Sequence, residues 1–174
     1  MQFLIFYLLR GVCLRSRTHN IFSFAISLLI LRTWLYTAFL IAIFSSIFLS
    51  LSINWFIDHV AGHKGYRRAP YTHSFTTSIL ISILIAFLYI YILEALGFAL
   101  PIPLLYIASI AIATSHMFLD IMTKDGIYPM WPFSKARISI LGARYDNPAL
   151  NAFFVIVSLT IIIFIIFDAI KTYL

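Results

Sequence analysis

Four stretches of this chain, residues 34–56, 75–96, 101–121 and 149–170, are long, apolar and almost without charge. Crossing about 30 Å of hydrocarbon takes roughly 20 apolar helical residues, so each is long enough to span a bilayer. Inside lipid, every backbone N–H and C=O must be satisfied within the protein, and a single uncharged run does that by forming a helix. The remainder of the chain offers no soluble alternative. With 63% hydrophobic and 10% charged residues, a domain of 174 residues could not cover its apolar surface with polar groups. The expectation is an all-α, polytopic membrane helix bundle of about five spans, forming one integral membrane domain over residues 1–174.

The order of the runs sets the topology. Residues 1–9 are apolar but too short to cross, and are read as a short N-terminal interfacial helix. No small-residue cleavage site follows them, so a cleaved signal peptide is not expected. Residues 20–31 form a shorter apolar run, closed by Arg32 and Thr33. They are read as a crossing with Arg32 reaching back to the interface, the alternative being a half-helix packed inside the bundle. Gly97, Pro101 and Pro103 mark a tight hairpin between two spans. That hairpin forces the two polar loops, 58–74 and 122–148, onto the same membrane face. Every Lys and Arg except Arg32 and Lys171 then falls on that face, which the positive-inside rule makes cytoplasmic. The formal charge of +6 therefore reads as topology and lipid-headgroup contact, and no nucleic acid partner is expected. The one cysteine, Cys13, excludes an internal disulfide and a multi-cysteine metal site.

The chemistry-bearing side chains gather at that face. His116 and Asp120 are four apart and share one face of a helix. His19 lies at the inner start of the first span, Asp58 and His59 at the inner end of the second, and His73 at the inner start of the third. Four helix ends thus bring imidazoles and carboxylates to one depth, and ionisable groups at membrane depth are functional candidates. His19, Asp58, His73, His116 and Asp120 are the expected metal ligands, for a divalent ion with zinc foremost. His59, next to Asp58, is the weaker candidate. The bland alternatives are a hydrogen-bonded His–Asp pair joining two helices, or histidines reaching for headgroups.

Four motifs carry a resemblance. They are Thr18-His19; Phe56-Ile57-Asp58-His59; Arg68-Ala69-Pro70-Tyr71-Thr72-His73-Ser74; and a long element with Ser115, His116, Asp120, Thr123, Gly126, Trp131 and Pro132. Over residues 18 to 140 the chain resembles the YdjM-type family, LexA-regulated in bacteria and described as membrane-bound metal-dependent hydrolases, including its small archaeal members. More distantly it is similar to zinc-dependent phospholipase C and S1/P1-type nucleases. Two positions depart from the pattern: Phe56 stands where the family has an Asp, and Arg68 where it has a His, so the family's metal count does not carry over.

The resemblance implies hydrolysis of a phosphoester, in a lipid or lipid-linked substrate at the cytoplasmic face of the plasma membrane. Under that reading Asp120 or Asp125 supplies the base. Lys64, Arg67 and Arg68 suit the phosphate, with plain topology and anionic-lipid attraction as the alternative for each. Thr72, Ser74 and Thr123 would orient the ligands, with helix N-capping as the alternative for Thr72 and Ser74. Asn151 lies within one turn of the last span's start and within reach of the site. The competing reading is a non-enzymatic membrane protein whose His/Asp set is a structural or sensory metal site. A transporter is the weaker third, because the cluster sits at one end of the spans. An oligomer is compatible with all three.

Overall fold

The computed structural model describes residues 14–60, 63–64 and 67–173, so the expected interfacial helix over residues 1–9 lies outside the described residues. Among the described residues, five α-helices run in chain order: α1 Leu14–Ile30, α2 Arg32–Trp55, α3 Phe75–Ala95, α4 Ile102–Ile121 and α5 Pro148–Tyr173. Four segments are long and apolar enough to cross a membrane, Ala38–His59, Phe75–Ala95, Ile102–Ile121 and Pro148–Lys171. With the shorter α1 they make the all-α membrane bundle that the apolar runs require.

Three boundaries differ from the sequence reading. Helix α1 begins at Leu14, well before the apolar run at residue 20, and so takes in Arg17, Thr18 and His19. Thr18 and His19 are buried, so their polarity marks an interior contact and not an interfacial turn. The break before the next helix falls at Leu31, and Arg32 and Thr33 already belong to α2. That helix bends at Ala38, where φ −146° and ψ 60° leave the helical region. Third, α2 does not end before Asp58. A π-helical turn, Phe56–Val60, continues it through Asp58 and His59. An extra residue in one turn changes which side chain faces inward, and such turns recur at functional sites.

Helix α4 is the hub, packing against α1, α2 and α3, while α5 packs chiefly on α1. Its buried face includes Leu105, Ala108, Ser109, Ile112, Ala113, His116, Met117 and Asp120. The facing helices present small residues. On α3 the buried positions are Ser78, Ser82, Ala86 and Ile90, one per turn. Lipid is as apolar as Leu, so helices in a bilayer associate by close backbone approach over small side chains, and the large apolar ones turn outward. Leu80, Leu84, Phe87 and Tyr91 do so on α3.

Caps and turns close the ends. The Ser74 hydroxyl accepts the Thr77 N–H at 3.2 Å and starts α3, and Asn147 Oδ1 accepts the Leu150 N–H at 3.0 Å and starts α5. Gly97, at φ +83°, ends α3 while the Phe98 N–H reaches the Leu93 carbonyl. Two short strands, β1 His63–Lys64 and β2 Arg67–Arg68, pair antiparallel. Single bridges join Thr123 to Ala143 and Ile127 to Ile138, giving the long α4–α5 connection its order.

Candidate metal centre

Five side chains from three helical elements and one helix entry meet at one end of the bundle. His19 comes from the second turn of α1, Asp58 from the π-helical turn, His116 and Asp120 from the last two turns of α4. His73 sits just before the cap of α3. His19 Nε2 lies 3.3 Å from Asp120 Oδ1. His116 Nε2 is 3.4 Å from Asp120 Oδ2 and 3.5 Å from Asp58 Oδ1. His73 Nε2 is 3.6 Å from each of the same two carboxylates. Two overlapping groups result, His19–His116–Asp120 and Asp58–His73–His116, each with ligand atoms within 4.8 Å of one another. The rings of His19 and His116 stack with centroids 4.2 Å apart.

These separations fit donors around a shared ion. Two ligand atoms at ~2.0 Å from one tetrahedral zinc stand ~3.3 Å apart. His116 Nε2 is buried without a hydrogen bond of good geometry, and a buried polar atom left so is costly unless something else occupies it. Imidazole and carboxylate together suit zinc or a related divalent ion. The donor set therefore fits a metal, and His116, common to both groups, is its pivot. Asp58, with 12% of its side chain exposed against none for His73, His116 and Asp120, marks the side on which the cluster opens.

The tautomers follow from neighbouring bonds. His116 Nδ1 is 2.9 Å from Asn54 Oδ1, and the Asn54 amide donates to Asn20 Oδ1 at 2.9 Å. With its amide nitrogen donating to Asn20, Asn54 Oδ1 accepts Nδ1–H, which leaves the Nε2 lone pair facing the cluster. Thr72 Oγ1 donates to the Ala69 carbonyl and lies 2.9 Å from His73 Nδ1, so His73 is held in the same sense. Thr18, beside His19, donates to Asn151 Oδ1 at 2.7 Å, and Asn151 in turn bonds the Tyr145 and Asn147 carbonyls. Asn151 thus braces Thr18, the residue before His19.

Arg68 takes a different place from the open phosphate hook expected of a loop arginine. It is buried, its Nη2 pairs with Asp120 Oδ1, and its Nη1 donates to the Asp120 and Gly126 carbonyls at 3.1 and 2.7 Å. Through Nη1 and Nη2 the guanidinium holds the Asp120 carboxylate and the loop after α4, while Nε makes no hydrogen bond. Ser74 serves as the α3 cap. Thr123 Oγ1 bonds the Asp120 carbonyl at 2.9 Å, so it fixes the backbone of a ligand and not its carboxylate. Asp125 belongs to neither group of ligand atoms and lines a separate cavity beside Arg68. His59 is exposed and stacks on Trp55 with centroids 6.0 Å apart, away from the cluster. The side chains of Lys64 and Arg67 lie outside the described ones.

Asn54 and Asn20 are the residues that sequence reasoning passed over. The available signal was an amide inside an otherwise apolar span, since a polar group at that depth needs a partner. A family model described as YdjM inner membrane protein matches residues 14–173. No curated protein and no solved structure matches the chain.

Proposed function

This chain belongs to the YdjM inner membrane protein family, and from that premise we propose that it is a membrane-embedded, metal-dependent hydrolase of a phosphoester in a lipid or lipid-linked substrate. The observation that carries the proposal is the convergence of His19, Asp58, His73, His116 and Asp120 at separations of 3.3 to 3.6 Å. The site faces the cytoplasm in this reading, supported by the cations of its flanking loops.

A divalent ion held by these side chains would acidify a bound water and polarise a phosphoryl oxygen. The chain's own residues do the rest. Asn54 and Thr72 present the His116 and His73 lone pairs inward. Arg68 fixes the Asp120 carboxylate in the cluster, which supports Asp120 as a ligand, and in this reading Asp125, on the cavity that Arg68 also lines, is the base that accepts a proton. The exposed edge of Asp58 is where substrate and water enter. The test is elemental analysis of the full chain purified in detergent, followed by hydrolysis of a lipid phosphoester. Stoichiometric zinc or another first-row ion is expected, lost together with turnover in His116→Ala. Absence of bound transition metal after reconstitution with zinc ends the proposal.

One observation favours a second reading. The Arg68–Asp120 pair already supplies a positive charge inside the cluster, and a buried ion pair of that kind can serve structural specificity. A structural or sensory metal site then replaces the enzyme. Stoichiometric metal with no turnover, unaltered by Asp125→Asn, is the outcome that selects it.

A further inference from the structure

Beside the cluster, the α4–α5 connection builds a polar cavity of about 380 Å³, lined by Arg68, Asp125, Tyr128, Lys135 and Arg137. We propose that Tyr128, Lys135 and Arg137 form with Arg68 a subsite for a phosphate group, next to the metal cluster. The proposal deepens the hydrolase reading and rests on it for the role of the bound phosphate, though not for binding itself.

Lys135 and Arg137 are exposed at the mouth of the cavity and Arg68 is buried at its floor, and the backbone that carries them is ordered by specific bonds. Ile127 and Ile138 exchange both backbone hydrogen bonds at 2.9 Å, and Ile127 is wholly buried. That bridge sets Tyr128 and Arg137, the flanking residues, on the same closed turn. The Tyr128 N–H donates to the His73 carbonyl at 2.8 Å, tying the rim of the cavity to a ligand residue. The Gly126 carbonyl accepts from Arg68, tying the floor to the guanidinium that holds Asp120. Arg68 Nε is buried and makes no hydrogen bond, so the innermost cation keeps a donor in reserve. Three cations face one carboxylate, Asp125. Arginine offers a planar fork and lysine a point charge to phosphate oxygens, and a tyrosine hydroxyl adds a further donor. A phosphate held there would lie against Arg68, one side chain away from Asp120.

The phosphate could belong to a lipid headgroup or to a soluble phosphoester, and the test separates them. The full chain is placed in phosphatidylcholine nanodiscs and titrated with inorganic phosphate, and separately in nanodiscs containing phosphatidic acid. Lys135→Gln/Arg137→Gln is compared with Lys124→Gln/Arg144→Gln, which removes the same charge from the same loop outside the cavity. Saturable binding is expected, weakened about tenfold or more by the first pair and less than about twofold by the second. Dependence on phosphatidic acid assigns the site to a headgroup, and binding of inorganic phosphate alone assigns it to a soluble ester. Equal weakening by both pairs, or no saturable binding to either probe, overturns the proposal. Metal content is measured on the same samples. Phosphate binding without metal sinks the hydrolase reading alone, and metal without phosphate binding sinks the subsite alone.

Discussion

At the scale of single residues, the centre depends on groups that touch no ligand position directly. Asn54 matters because its carbonyl fixes which imidazole nitrogen of His116 faces the cluster. Removing such an outer partner of a metal-binding histidine lowers affinity by roughly 10–100-fold. Asn54→Ala is therefore expected to weaken zinc binding by about that factor while helix content stays unchanged, as read by competition with a chelating dye and by circular dichroism. Gly126 is the second such residue. Its φ is +57°, and a Cβ there would sit 2.2 Å from the Ile138 carbonyl oxygen, inside the bridge that closes the loop. Relief requires opening that bridge, which also moves the carbonyl that Arg68 holds. Gly126→Ala is expected to destabilise by at least ~1–3 kcal/mol, seen as a lower thermal midpoint in detergent. An unchanged midpoint would mean the loop is not built this way.

At the scale of elements, burial and hydrophobicity run in opposite senses, as lipid surroundings demand. Ala86 on α3 is wholly buried and Leu84, two residues earlier, is 57% exposed. Ala86→Leu forces bulk between closely packed helices and is expected to cost about 1–3 kcal/mol. Leu84→Ala removes side chain only from the lipid face and is expected to stay within about 0.5 kcal/mol. Reversible unfolding in mixed micelles measures both, and equal effects would contradict the packing of α3 on α4. The π-helical turn belongs to this scale as well. It keeps Ile57 in the core, Asp58 at the cluster and His59 on Trp55. In the sequence, Asp58 reads as the first residue of a loop, because a turn of unusual pitch leaves no hydrophobic period to detect.

At the scale of the molecule, the distribution of Lys and Arg predicts a membrane sidedness. The α3–α4 hairpin and the connection after α4 lie at opposite ends of α4. In a Cys13→Ser background, Ala99→Cys in the hairpin is expected to react with a membrane-impermeant maleimide in intact cells. Ala136→Cys in the connection is expected to react only after the cells are opened. The reverse pattern would place the cluster on the outer face.

The sequence alone determined the helical membrane bundle and which ionisable side chains to follow. Charge is so costly in lipid that a few His and Asp residues stand out from a nearly uncharged chain. His19, Asp58, His73, His116 and Asp120 stood out for that reason, the tight hairpin at Gly97 put the two polar loops on one face, and a crossing by residues 20–31 was needed to bring His19 to it. Tertiary structure alone decided what each does beside its neighbours. It turned Arg68 inward onto Asp120, because a cation in a loop carries no mark of which carboxylate it will meet. It joined Asn20 and Asn54 behind His116, and it closed the α4–α5 connection with the Thr123–Ala143 and Ile127–Ile138 bridges. Hydrogen bonds between residues far apart in the chain depend on helix position and rotation, and neither period nor spacing encodes those.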